Sequence, residues 1–143
     1  MLCSWSQACC AAAGDTHITL SQRAEVAGAV IVTTPQEVAL GDVRRSVEMF
    51  QKMKIPIVGV LENMSHHVCS GCGAHSHIFG KGGAAKLAGE FNVPVLGHVP
   101  LDMAAMEGGE RGTPIVVGEP ASPLSSVYQA AAAAVWERLQ TCD

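Results

Sequence analysis

Aromatic side chains make up only 4% of the 143 residues, too few for the stacked aromatic core of many all-β folds. Thin strands between helices, packed through Val, Ala, Leu and Ile, suit this composition better, and the chain reads as α/β. Basic residues are also few: nine Lys and Arg stand against thirteen Asp and Glu, a net charge of −4. No basic cluster is present to neutralise several phosphates, so nucleic acid is excluded as a partner. Long apolar runs are missing as well. Stretches such as Ala29 to Val32 and Ile57 to Leu61 fall far short of the roughly 20 residues a bilayer requires, so no membrane span is expected. The opening "MLCSWSQACCAAA" has neither the basic start of a secretory signal nor the arginines of a transit peptide, and the expected compartment is the cytoplasm.

Apolar residues make up 48% of the chain, enough for the core of one domain. The six cysteines are too unevenly spaced for a secreted disulfide framework. Cys69 and Cys72 alone have ligand spacing, and Cys3, Cys9, Cys10 and Cys142 read as incidental.

"AVIVTTP" (29 to 35) is a continuous β-branched run, as in a strand buried on both faces. The helix after it carries Val43, Val47 and Phe50 on one side, with Arg44, Arg45, Glu48 and Lys52 around it, and ends before Pro56. "IPIVGVLEN" (55 to 63) is a second strand. Ala84, Leu87, Ala88 and Phe91 line another helix, and "VPVLGHVP" (93 to 100) is a third strand. "LDMAAMEGGERGTP" is short helix or irregular, and "PIVVGEP" reads as a fourth, edge strand bracketed by prolines. Leu124, Val127, Tyr128, Ala131, Val135 and Leu139 mark a long final helix. This alternation implies parallel strands in the doubly wound manner, with ligands bound beyond the strands' carboxyl ends. Thr33, Thr34, Asn63 and Asp102 all fall on that edge.

The loop "NMSHHVCSGCGAHSHIFG" (63 to 80) holds the chemistry. Two cysteines separated by two residues can aim both sulfurs at one metal, with Gly71 and Gly73 allowing the turn. They supply half of a tetrahedral zinc site or half of a four-cysteine iron–sulfur site. The other half comes from His75 and His77, or His66 and His67, in one chain, or from a second copy across a two-fold axis. A surface turn with incidental cysteines is the plain alternative. His66 and His67 read as solvated loop residues, and His75 and His77 as donors to backbone carbonyls. His98 reads as a satisfied core or rim histidine, and Met49, Met53, Met103 and Met106 as core packing.

"GKGGAAKL" (80 to 87) imitates a phosphate-binding loop, but Ala85 stands where a glycine is needed and Leu87 replaces the magnesium-binding hydroxyl. Leu87 belongs instead to the apolar face of the helix that follows.

"GDTHITLSQRAEVAGAVIVTTPQEVAL", "GVLENMSHHVCSGCGAHSHIFGKGGAAKLA" and "VPVLGHVPLD…GTPIVV" resemble, in order and spacing, the C-terminal half of the Mrp/ApbC family of deviant-Walker P-loop ATPases, known as iron–sulfur cluster carriers. The resemblance implies a partial doubly wound sheet, the C-terminal half of a P-loop NTPase fold. It divides the chain into a divergent segment 1–13 and a family part 14–143 with its CxxC loop at 66–80. It further implies a homodimer that holds a [4Fe–4S] cluster between two CxxC motifs, with Cys69 and Cys72 as ligands, and delivers it to apo iron–sulfur proteins. ATP with Mg²⁺ is the family's nucleotide; Asn63 would lie near the adenine, and Pro100 and Asp102 would line the same pocket. The family's K-G-G-x-G-K-[ST] loop and first magnesium aspartate have no counterpart here, and only Gly14-Asp15 remains of the D-x-P-P-G-T-G-D segment. A truncated product and a short form without ATP hydrolysis both fit that departure. An organelle address in a missing N-terminal region would make the compartment mitochondrial.

Overall fold

The structure, a computed structural model, describes residues 26–69 and 71–140 together with Arg23. The segment 1–13 and Cys3, Cys9, Cys10 and Cys142 lie outside the described residues. The elements run β1 (Ala29–Thr33), α1 (Glu37–Lys52), β2 (Ile57–Glu62), β3 (His67–Val68), β4 (His75–Ser76), α2 (Gly83–Phe91), β5 (Val95–His98), α3 (Met103–Glu110), α4 (Ile115–Gly118) and α5 (Pro123–Gln140).

Among the described residues the main sheet has the order β1-β2-β5, all parallel. Parallel neighbours need crossovers, and α1 and α2 provide them. Side chains alternate between the faces of β2, so Val60 and Leu61 enter different cores. On one face Ile31 and Val60 pack with Leu40, Val43 and Val47 of α1 and Ala84 and Leu87 of α2. On the other, Leu61 and Val99 meet Ile115 of α4 and Leu124, Val127 and Tyr128 of α5. Helices therefore cover both faces, the α/β arrangement expected from the sequence.

Helix α1 buries Leu40, Val43 and Val47, with Glu37 in its first turn and Lys52 in its last, each favourably placed against the helix dipole. Two ion pairs tie α1 to α2 along their solvent side, Arg44 to Glu90 at 2.7 Å and Lys86 to Glu37. The pairing holds the Glu37 and Glu90 carboxyls below their usual range.

Two expectations fail. "PIVVGEP" is not an edge strand: Ile115–Gly118 forms a single helical turn, α4. Among the described residues no strand of the main sheet pairs with it, and its backbone groups bond locally, Gly118 N–H to the Pro114 carbonyl at 3.0 Å and Glu119 N–H to the Ile115 carbonyl at 2.8 Å. The Ser125 hydroxyl also lies 3.1 Å from the Ile115 oxygen and 2.7 Å from the Glu119 oxygen. Of the three β-branched residues only Ile115 is buried, so the run serves as a plug for the second core and not as a pleated face. Met103 and Met106, expected in the core, are 73% and 53% exposed, because α3 turns Ala104 and Ala105 inward instead.

Candidate metal centre and strand-end edge

Parallel strands end on one side, and the last residues of the three main strands form a row there: Thr33 pairs with Glu62, and Glu62 with His98. The chain leaves β2 through Asn63 and returns to the sheet at α2. Between these points the segment 63–82 projects from the strand-end edge and carries the cysteines on a small hairpin.

That hairpin pairs His67 with Ser76 and Val68 with His75. Its turn is closed by Cys69 N–H donating to the Ala74 carbonyl at 3.0 Å and Gly73 N–H donating to the Cys69 carbonyl at 2.8 Å. Gly73 has φ +69°, a left-handed conformation in which glycine carries no Cβ penalty.

Inside this turn the Cys69 sulfur receives the backbone N–H of Gly71 and that of Cys72, and the Cys72 side chain as well. Together they hold the Cys69 thiol below its usual value, since each donor favours the thiolate. Cys69 is half-buried and Cys72 exposed, which leaves both sulfurs open to a metal from outside. In metal-free protein, alkylation of Cys69 by iodoacetamide is therefore expected to set in at lower pH than in the same chain unfolded in urea. Coincident pH profiles would contradict it.

A hairpin of two residue pairs has little stability of its own. Its base is stitched to the segment after β5. Ser65 N–H donates to the Val99 carbonyl at 3.0 Å, Leu101 N–H to the His66 carbonyl at 2.7 Å, and His67 forms a parallel bridge with Leu101. The Ser65 hydroxyl also donates to Val99 at 3.1 Å, and His77 Nδ1 donates to the Ser65 carbonyl at 2.9 Å.

The histidines pack beside this seam. The His66 ring stacks on His75 with centroids 5.2 Å apart and meets His77 at 6.2 Å. His66 and His67 are thus half-buried, not solvated loop residues as the sequence had implied. His77 does bond a backbone carbonyl, as expected. Burial first, and then the neighbouring His75, His77 and His98, push His66 below the usual histidine value.

The fold therefore favours the neutral ring over the charged one. Its contribution to stability is complete above the ordinary histidine pKa of about 6.5 and is lost as pH falls through that value toward the lowered native one. Between about pH 7.5 and 5.5, the Leu101 amide, whose partner is the His66 carbonyl, should lose protection against hydrogen exchange beyond the intrinsic rate change. Protection that stays constant across this range would rule the effect out.

Among the described residues no three His, Cys, Asp or Glu side chains converge to hold a metal ion within one chain. His75 and His77 thus do not complete a set with Cys69 and Cys72: His75 is paired across the hairpin with Val68 and His77 is turned to Ser65. Among the described residues one copy supplies two sulfurs, those of Cys69 and Cys72.

The nucleotide candidates sit on the same edge. Asn63 N–H donates to the Thr33 carbonyl at 2.7 Å, and its side-chain oxygen accepts Met64 N–H at 2.9 Å, where Met64 takes φ +53°. Pro100 and Asp102 follow β5. Asp102 already has a structural task as the N-cap of α3, accepting Ala104 N–H at 2.7 Å.

Sequence reasoning missed Glu62. It is 3% exposed, and both its oxygens are engaged: one accepts Ala84 N–H at 3.1 Å and the other His98 Nδ1 at 2.6 Å. The signal was an acid ending an otherwise apolar strand, since a buried carboxylate requires partners. His98 is the half-exposed end of that pair. Glu62 also bears on "GKGGAAKL": a protein carboxylate already accepts an N–H at the N-terminus of α2, where a phosphate would otherwise be received.

A model of the ParA family described as the NUBPL iron-transfer P-loop NTPase matches residues 11–136. An iron–sulfur cluster carrier protein of Pseudomonas fragi is 50% identical over 116 residues, which is 81% of this chain and 40% of that protein. An Arabidopsis thaliana protein named as an iron–sulfur protein required for NADH dehydrogenase, mitochondrial, is 47% identical over 116 residues, 81% of this chain and 37% of that protein. Among solved structures, a nucleotide-binding protein from Archaeoglobus fulgidus in complex with ADP aligns at 32% identity and TM-score 0.65, covering 78% of this chain and 44% of that one. The chain spans less than half the length of these proteins. It belongs to the NUBPL iron-transfer P-loop NTPase family.

Proposed function

We propose that this chain is the cluster-holding half of an iron–sulfur cluster carrier, which binds a [4Fe–4S] cluster through Cys69 and Cys72 of two copies and delivers it to apo iron–sulfur proteins. The observation that carries this reading is the turn itself: two accessible sulfurs on one hairpin, one of them receiving two backbone N–H groups that favour its thiolate. Thiolates are the usual ligands of such clusters, and a four-iron cluster takes four of them. With two at the Cys69–Cys72 turn, a second copy is the simplest source of the rest.

The chemistry is ligand exchange. Each copy contributes half the ligands, so separation or rotation of the two would expose the cluster to an acceptor's thiolates in one step. The names of the Pseudomonas and Arabidopsis proteins support the cargo, and the Arabidopsis name assigns that protein to the mitochondrion, an alternative to the cytoplasm for this chain. Asn63, Pro100 and Asp102 form the edge on which a nucleotide would rest, and ATP with Mg²⁺ would tune loading or release. The Archaeoglobus structure, a nucleotide-binding protein in complex with ADP, supports a nucleotide as ligand. The glycine loop takes no part in it. Among the described residues His75 and His77 do not join the cysteines, which favours the bridging reading over a zinc-stapled module in one chain.

The test is anaerobic reconstitution with iron and sulfide, followed by transfer to an apo acceptor of a four-iron cluster in the presence of a chelator. The reading predicts cluster loading and direct, chelator-resistant transfer. Iron at background level, or transfer only through free iron, would refute it.

A further inference from the structure

The hairpin that presents the cysteines leaves the sheet at Asn63 and rejoins it at Gly83. Glu62, the residue just before this segment, and Ala84, the residue just after it, are joined by a hydrogen bond from Ala84 N–H to the Glu62 carboxylate at 3.1 Å. Ala84 is fully buried and Glu62 is 3% exposed, so this contact lies under the segment and out of water. The second carboxylate oxygen takes His98 Nδ1 at 2.6 Å, from the strand whose continuation carries the seam to the hairpin. On the backbone, Val99 N–H donates to the Glu62 carbonyl at 2.7 Å, and the Val99 carbonyl receives Ser65. The returning limb is confined from the other side. A Cβ on Gly83 would come within 2.7 Å of Pro35 Cα, so α2 begins pressed against the exit of β1.

We propose that Glu62 is a positioning residue for the cysteine centre: its carboxylate clasps both ends of the 63–83 segment and the end of β5, and so fixes where the Cys69–Cys72 turn stands relative to the sheet. The proposal rests on the cluster-carrier reading for its consequence, but its structural content stands apart from it. Two sulfurs on a two-pair hairpin hold a cluster between copies only if each copy presents them in a fixed direction. The short ladder of β3 and β4 cannot supply that direction alone. Glu62 touches no cargo; it acts through the backbone at the base. Cutting its side chain back leaves the Ala84 donor buried without a partner and removes the side-chain tie between the two ends of the segment.

The test compares Glu62→Ala, Glu62→Gln and His98→Ala with the parent chain, first metal-free by amide hydrogen exchange and then after anaerobic reconstitution. In Glu62→Ala, exchange at the Cys69, Gly73 and Leu101 amides is expected to rise about tenfold or more, with α1 and α5 unchanged, as for local opening. Glu62→Gln keeps an acceptor for Ala84 and should restore most of the protection. His98→Ala, which removes one partner only, should fall between. After reconstitution, Glu62→Ala should hold less cluster and show an altered visible circular-dichroism spectrum, with Glu62→Gln again restoring both.

Parent-like exchange in Glu62→Ala would overturn the proposal, as would an equal rise in α1 and α5, which would make Glu62 an ordinary core residue. If Glu62→Ala fails to fold, the other two variants decide: parent-like exchange in both overturns it, and a graded rise at the Cys69, Gly73 and Leu101 amides supports it. Failure of the parent chain to load a cluster would overturn the carrier reading while the exchange data still judge the clasp.

Discussion

Cys69→Ala or Cys72→Ala abolishes cluster binding after reconstitution and leaves the melting temperature of the metal-free chain within about 2 °C of the parent. The reason lies in where the sulfurs are. Cys69 is half-buried and Cys72 exposed, on a turn outside both cores, so alanine there removes no packing of consequence. Surface substitutions of this kind usually cost no more than about 0.5 kcal/mol. The loss of cargo is complete because each substitution is made in both copies and leaves two of four thiolates. The two variants fail for slightly different reasons. Without Cys69 the N–H groups of Gly71 and Cys72 have no sulfur to stabilise, whereas without Cys72 the polarised thiol remains but stands alone. Parent-like iron and sulfide content in either variant would contradict the assignment of these ligands.

The second large effect concerns Leu87→Ser, which restores a hydroxyl where a phosphate-binding loop would place its magnesium ligand. It should destabilise the fold by about 2–5 kcal/mol and confer no affinity for magnesium nucleotide. Leu87 is fully buried against Leu40, Val43, Val47 and Val60, between α1, α2 and the sheet. Serine leaves a cavity there and brings a hydroxyl into an apolar site. The glycines upstream do not help, because the α2 N-terminus already holds Glu62 and Lys86 is engaged by Glu37. Thermal unfolding would show a fall of about 10 °C, and calorimetric titration with magnesium ATP no heat of binding to this loop. An unchanged melting temperature, or nucleotide affinity gained by the variant, would contradict this view of the loop.

The parts legible in the sequence share one property: the information is local. "AVIVT" and "IVGVLE" are strands because continuous β-branched and aliphatic runs suit a sheet covered on both faces, and α1 shows its buried Val43 and Val47 at helical spacing. The Cys69–Cys72 pair is local in the same sense. What sequence reasoning missed depends on neighbours. "IVVG" has the composition of a strand, yet strand formation needs a partner to receive its backbone, and at Ile115–Gly118 the chain meets α5 and Val99 instead. Met103 and Met106 are apolar but face outward, since only the full course of α3 decides which side meets the core. His66 and His75 are nine positions apart, and nothing short of the hairpin register shows that their rings stack. Glu62 and His98 face each other because β2 and β5 are adjacent and parallel, a fact of topology that neither strand states alone.

The central claim is that two copies of this chain share one cluster through the Cys69–Cys72 turns. Native mass spectrometry after anaerobic reconstitution tests it most directly, because subunit count and bound metal are read from the same ion. The account predicts a dimer carrying a single four-iron, four-sulfide cluster, and monomer without iron for Cys69→Ala. A monomer that carries the whole cluster, a monomer with one zinc, or a dimer that forms equally well without cysteines or iron would contradict it.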